Sequence, residues 1–278
     1  MCAWEIPRAG PDSTDLVVCI PHTGFPRMDW GLSLKHLDMP PGVRFITYVN
    51  QGQPIDLARN MFVSLALQRE AKYIFFLDSD VEMPNDGLTK LYNANKPIIA
   101  GVYCGRAPPY GLSANINRKP LSPEMVKKYP DMMVDVHEIG MGCTLINTRV
   151  IHRIARNLNM QWRCLKSHAK ELQVQIRPDE ISPHEIAFFS NDEAQSLEYK
   201  CGYCKSSLIT DFFLYTMSSE ELSRKYGLYS EDYFFCKLAR DVGFPISIHT
   251  GVFANHELLN MKITRDGLYN PTSSAGDI

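Results

Sequence analysis

Three short apolar runs set the frame of this chain: Leu16 to Ile20, Phe45 to Val49 and Tyr73 to Leu77. Their length and their valine, isoleucine and aromatic content mark buried strands. The first ends at Pro21 and the second at Asn50-Gln51-Gly52, after which Pro54 opens a helix with Asp56 in its first turn. Ala58, Met61, Phe62, Leu65 and Ala66 recur at helical spacing and form that helix's core face. The third run is apolar throughout, as a central strand covered on both faces must be. A helix over Met83 to Tyr92 and a fourth strand over Ile98 to Tyr103 follow. Strand and helix thus alternate through the first 103 residues, which predicts a doubly wound α/β sheet with parallel strands.

The rest of the chain is less regular. Residues 104 to 137, rich in Pro, Gly and Lys, read as a long functional loop region. A strand is expected over Glu138 to Asn147 and a helix over Val150 to Leu158. Residues 160 to 206 are polar and irregular and read as an insertion. A strand over Leu208 to Tyr215, a helix from Ser230 to Val242 ended by Gly243, and a last strand over Ile246 to Ala254 complete the pattern. The tail from Leu258 reads as a mobile end or a lid. At 278 residues this is one large α/β domain, residues 1 to 278, carrying an inserted module over 160 to 206.

Composition narrows the class of partner. A net charge of −2 provides no general attraction for nucleic acid. No apolar run approaches the roughly 20 residues of a membrane-spanning helix. Met1 to Asp15 lacks the basic-then-apolar layout of a signal peptide. A cytoplasmic protein is expected, and a peripheral contact with a membrane surface is compatible with this sequence.

The strongest chemical signal is the end of the third run, Leu77-Asp78-Ser79-Asp80. Ligands of open parallel sheets bind beyond the carboxyl ends of the strands. An apolar strand ending in Asp-x-Asp therefore aims two carboxylates at that crevice. Acids so close repel unless a cation or a proton relieves them, and oxygen ligands favour Mg²⁺ or Mn²⁺ together with substrate phosphates. Haloacid-dehalogenase-like phosphatases carry a similar signature with the first Asp as nucleophile, a role that would fall to Asp78. In that family the motif normally lies on the first strand, whereas two strand–helix units precede it here.

In order and spacing, these motifs resemble the GT-A fold glycosyltransferases, family 2-like branch. The resemblance runs through Val17-Val18-Cys19-Ile20-Pro21, Ala58-Arg59-Asn60, Phe76-Leu77-Asp78-Ser79-Asp80 and Ile98 to Tyr103. It continues through Glu138-Ile139-Gly140-Met141-Gly142-Cys143 and Ser230-Glu231-Asp232-Tyr233-Phe234-Phe235. It implies a GT-A-like doubly wound mixed sheet and transfer of a sugar from a UDP- or GDP-sugar to an acceptor hydroxyl on a sugar, a lipid-linked molecule or a protein. Pro21, His22, Thr23 and Asn50 would border the base and ribose, and Arg59 the base or diphosphate. Asp78 would meet the ribose or the metal. Asp80 and His256, the latter after the last strand, would complete a Mn²⁺ or Mg²⁺ site. Gly140, Met141 and Gly142 would let backbone approach the transferred sugar. Asp232 would be the catalytic base, with Glu231 orienting the acceptor.

The insertion carries a second signal. Of the eight cysteines, Cys19, Cys104, Cys143 and Cys236 lie in apolar sequence and read as small core residues. Cys164 with His168, and Cys201 with Cys204 across Gly202-Tyr203, supply a Cys/His set suited to a structural zinc, with His184 as a competing ligand. A redox Cys-x-x-Cys and unrelated thiols are the alternatives. A non-catalytic module binding sugars or a partner through this insert stands as a further reading of the whole chain.

Overall fold

The computed structural model describes residues 14–22, 24, 26–106, 110–160, 162–164 and 208–257, together with short strands at 4–6, 188–189, 262–264 and 267–269. The chain forms a mixed α/β fold around an eight-stranded sheet. The strands of that sheet are β1 (Trp4–Ile6), β2 (Leu16–His22), β3 (Phe45–Gln51), β4 (Tyr73–Leu77), β6 (Ile98–Val102), β9 (Met133–Val136), β11 (Cys143–Asn147) and β15 (Ile246–Phe253). They lie in the order β1-β3-β2-β4-β11-β6-β15-β9. The three predicted strands at the start pair in parallel, β2 with β3 and β2 with β4.

The sheet is mixed, as the resemblance implies: the strands of the first 103 residues predicted to be parallel are so, and β11 lies antiparallel between β4 and β6. Cys143 to Ile146 are buried whichever way the strand runs. A strand covered on both faces reads as a continuous apolar run in either direction, so its sense is invisible in the pattern. Across β11, β4 and β6 again point the same way, and β15 runs parallel to β6. The carboxyl ends of β2, β4, β6 and β15 consequently share one edge of the sheet.

Alternate residues of these strands face two separate apolar layers. Val17, Cys19, Ile74, Phe76, Ile98 and Ile248 meet α2 (Ile55–Gln68), α5 (Thr148–Asn157) and α7 (Glu231–Asp241) through Phe62, Ile151, Phe235 and their neighbours. Leu16, Val18, Phe75, Leu77 and Ile99 meet Trp30 of α1 (Met28–His36) and Leu88 and Leu91 of α3 (Gly87–Asn93). Fully burying side chains of this size stabilises by about 1.5–3 kcal/mol each. That places the helices against both faces and leaves the strand ends as the open rim.

Three expectations are corrected. Residues 104 to 137 are not one long loop: they carry β7 (Ala114–Ile116), β8 (Lys119–Pro120), α4 (Pro123–Lys128) and the edge strand β9. Elements this short complete too few periods to show in sequence. The strand expected over Leu208 to Tyr215 is β14 (Leu208–Ile209) alone, paired with β12 (Trp162–Cys164) outside the main sheet. Phe212 and Phe213 are buried without strand pairing, pinned because Asn60 Nδ2 donates to the Phe213 carbonyl (2.8 Å) and Phe213 N–H donates to Asn60 Oδ1 (3.0 Å). The run over Glu138 to Asn147 divides into β10 (Glu138–Ile139) and β11 at Gly140-Met141-Gly142.

Of the expected zinc ligands, Cys164 lies buried on β12. His168, Cys201, Cys204 and the competing His184 lie outside the described residues, as does most of the tail from Leu258. Among the described residues no helix is long and apolar enough to cross a membrane.

Candidate functional site

A cleft of about 480 Å³ opens along the rim where the parallel strands end. Pro21 and His22 reach it from β2, Asp78 and Asp80 from the turn after β4, and Tyr103 and Arg106 from the chain after β6. Arg59 enters from α2, Glu231 and Asp232 from the first turn of α7, and His256 from β16 (Asn255–Glu257).

The turn after β4 is held rigidly. Asp78 N–H donates to the Gly142 carbonyl (2.9 Å), while the Asp78 carbonyl accepts from Val81 N–H (3.1 Å) and from Trp30 Nε1 (3.0 Å). The chain then forms β5 (Val81–Glu82), whose Val81 stands opposite His256 of β16. That pairing carries His256 to Asp80, with Nε2 3.6 Å from Asp80 Oδ2.

Buried Arg59 is the electrostatic centre of the floor. Nη1 and Nη2 donate to Asp78 Oδ1 and Oδ2 at 3.1 and 3.3 Å. Nε lies 3.1 Å from Asp232 Oδ1, off the hydrogen-bonding axis, and Nη2 lies 3.9 Å from Glu231 Oε1. Burial works against the charged guanidinium, but the combined attraction of Asp232, Asp78 and Glu231 outweighs it and holds the pKa above the ordinary value. Three carboxyl groups around one cation leave a surplus of negative charge, which is relieved by a proton held on Asp232. Burial pushes the Asp232 carboxyl up to about 8 against the pull of Arg59, and repulsion from Glu231 and Asp78 adds to the rise. Ser230 Oγ caps α7 by accepting from Tyr233 N–H at 3.4 Å, as its position before the two acids predicts.

His256 presents a defined face to the cleft. Its Nδ1 lies 2.6 Å from the Cys104 carbonyl, an acceptor, so Nδ1 carries the hydrogen. The Nε2 lone pair then faces Asp80 and accepts from Arg106 Nε at 3.1 Å. Burial lowers the His256 pKa and keeps the ring neutral, the form in which imidazole binds a metal. Arg106 also forms an ion pair with Asp80 Oδ2.

Among the described residues no three His, Cys, Asp or Glu side chains are grouped to hold a metal ion. Asp80 and His256 nevertheless fit one. Donors each about 2.1 Å from a common ion lie up to about 4 Å apart, and Mg²⁺ ordinarily completes its shell with waters and substrate phosphates. Asp78 differs from Asp80 in having both oxygens on Arg59.

The glycines after β10 serve a contact inside the protein. A Cβ on Gly142 would stand 2.7 Å from the Tyr103 hydroxyl, and one on Gly140 would collide with the same oxygen. Gly142 N–H donates to that hydroxyl (3.0 Å), and Met141 N–H donates to Asp232 Oδ2 (3.0 Å), with Met141 itself buried. The close approach predicted for a sugar is thus occupied by Tyr103. Asn50, the next-to-last residue of β3, stands opposite Pro21 but does not line the cleft, and its buried Oδ1, like His22 Nδ1, has no hydrogen-bond partner among the described residues. Thr23 lies outside the described residues.

Sequence reasoning did not nominate Tyr103 or Arg106. Tyr103 follows the carboxyl end of β6 directly and Arg106 lies one short turn beyond it, and that position is the available signal.

The sequence matches no protein-family model and no curated protein. Among solved structures it is similar to the crystal structure of A197 from STIV, with 13% identity over 92% of this chain and 94% of that chain and a TM-score of 0.49.

Proposed function

We propose that the chain is a metal-dependent glycosyltransferase of GT-A-like fold, taking a UDP- or GDP-sugar as donor and a hydroxyl as acceptor. The observation that carries this reading is the convergence of Asp80, His256, Arg59 and Asp232 on one cleft at the carboxyl ends of the strands. Asp80 and His256 would hold Mn²⁺ or Mg²⁺, which when bound neutralises the diphosphate leaving group. His22 lines that cleft and its Nδ1 has no hydrogen-bond partner among the described residues, which supports a polar contact to a base or ribose there.

In the transfer, the acceptor oxygen bonds to the anomeric carbon of the donor while the bond from that carbon to the diphosphate oxygen breaks and its electron pair leaves with the diphosphate. The acceptor's proton goes to Asp232, with Glu231 orienting the hydroxyl. Burial supplies the basicity that a position in a helix's first turn would otherwise remove. A phosphatase reading would need Asp78 free to attack, and both its oxygens accept from Arg59. A structural zinc on Cys164, His168, Cys201 and Cys204 is a separate proposal, tested by elemental analysis for about one zinc per chain.

The decisive experiment measures nucleoside diphosphate released by the full chain from a panel of UDP- and GDP-sugars with and without Mn²⁺, paired with thermal shifts for the same ligands. A donor that both raises the melting temperature with Mn²⁺ and turns over is expected. Silence of every donor in both assays overturns the reading.

A further inference from the structure

The cation that faces Asp80 and His256 in this structure belongs to the protein. Arg106 pairs with Asp80 Oδ2 through Nη2 and donates from Nε to His256 Nε2 at 3.1 Å. Those are the atoms a divalent ion would use: the His256 Nε2 lone pair cannot serve both at once, and at Asp80 the two cations would repel each other. We propose that Arg106 is a resident counter-cation of the metal site: it competes with the divalent ion for Asp80 and His256, and once displaced it binds the diphosphate of the donor. This rests on the glycosyltransferase reading above and adds a residue and a binding order to it.

The surroundings fit such an exchange. The Arg106 side chain is 65% exposed, whereas that of His256 is 7% exposed, so the arginine leaves without disturbing the core. Its backbone is anchored nearby. The Cys104 carbonyl holds His256 Nδ1, Cys104 bridges to Leu112, and Gly105 N–H donates to the Gly111 carbonyl at 2.8 Å. Rotation of the side chain alone therefore suffices, and the freed guanidinium remains on the cleft wall beside Asp80. Guanidinium groups receive phosphate oxygens through paired N–H donors. Occupancy of Asp80 by an ion and of the diphosphate by Arg106 would then favour one another.

The test titrates MnCl₂ alone, then UDP and GDP with and without Mn²⁺, into the parent protein, Arg106→Ala and Asp80→Asn by calorimetry. Removal of an exposed competing cation should tighten Mn²⁺ binding by roughly two- to fivefold in Arg106→Ala. The same variant should bind UDP or GDP about tenfold more weakly at saturating Mn²⁺, for want of the charged donor. Opposite effects on the two ligands are not a product of partial unfolding, and Arg106→Lys should restore part of each. Mn²⁺ affinity unchanged or weakened in Arg106→Ala, with binding lost in Asp80→Asn, overturns the Arg106 proposal and leaves the metal site standing. Failure of the parent and of Arg106→Ala to bind Mn²⁺ overturns both.

Discussion

Arg59 meets Asp78 fork to fork, Nη1 to Oδ1 at 3.1 Å and Nη2 to Oδ2 at 3.3 Å, beneath the cleft floor. The arginine is buried on α2 and lies over the Phe76 ring at 5.5 Å, so its charge has no access to bulk water. It answers Glu231 and Asp232 as well, from a helix far along the chain. One guanidinium thereby ties β4's end to α7's start, and this fixes the distance between the Asp-x-Asp turn and the candidate base.

Replacing Arg59 by Met should therefore be severe. Three carboxyl groups would be left around an apolar stem, and breaking a buried ion pair from one side costs about 3–5 kcal/mol. Urea unfolding at pH 7 should show that loss. Arg59→Lys, which lacks the planar fork, should retain only part of the stability. A loss below about 1 kcal/mol in Arg59→Met would show that the cluster is solvated.

Gly140→Ala should destabilise by about 1–3 kcal/mol, the usual cost of forcing extra volume into a packed site. The added Cβ collides with the Tyr103 hydroxyl, so Tyr103→Phe in the same protein should recover part of the loss. A double-mutant cycle is expected to give a coupling of at least about 0.5 kcal/mol. Additive losses would mean that the glycine is needed for some other reason.

Asp80→Ala should abolish the Mn²⁺-dependent part of UDP or GDP binding and leave the fold intact, because the Asp80 side chain is 27% exposed and is not tied into the core. Far-ultraviolet circular dichroism checks the fold, and calorimetry the binding. Nucleotide affinity that still rises with Mn²⁺ as in the parent would remove Asp80 from the metal site.

Part of this site was legible in the residues. Asp78 and Asp80 declared themselves because an apolar run ending in two acids has few structural explanations, and His256 because it follows the last strand. The Arg59 cluster was not legible: its partners lie 19 and more than 170 positions away, and no local pattern encodes a contact made only by the folded sheet. Trp30, whose indole fixes the Asp78 carbonyl, sits in a short helix with no clear apolar stripe. The sense of β11 escaped for a similar reason, since burial on both faces erases the two-residue alternation that would have marked it.

Asp232 makes the most exacting prediction, because its protonation bears on both stability and turnover. Its folded-state pKa of about 8 stands well above the ordinary 3.8, so the native state holds the proton more tightly than the unfolded chain does. Its contribution to stability is complete below pH 4 and is lost progressively as the pH rises towards 8. Between pH 6 and 8 the parent should lose on the order of 2 kcal/mol relative to Asp232→Asn, which carries no titrating carboxyl there. Urea unfolding of both proteins at the two pH values measures the difference. For catalysis the sign reverses. A base must be ionised to accept a proton, so kcat/KM should rise with pH and level off above about 8. Asp232→Asn should lower turnover by about 10²–10⁴-fold and leave donor binding nearly unchanged. A profile flat from pH 6 to 9, or a product that keeps the donor's anomeric configuration, would take the base role from Asp232 and leave it the task of holding Arg59 and the Met141 amide in place.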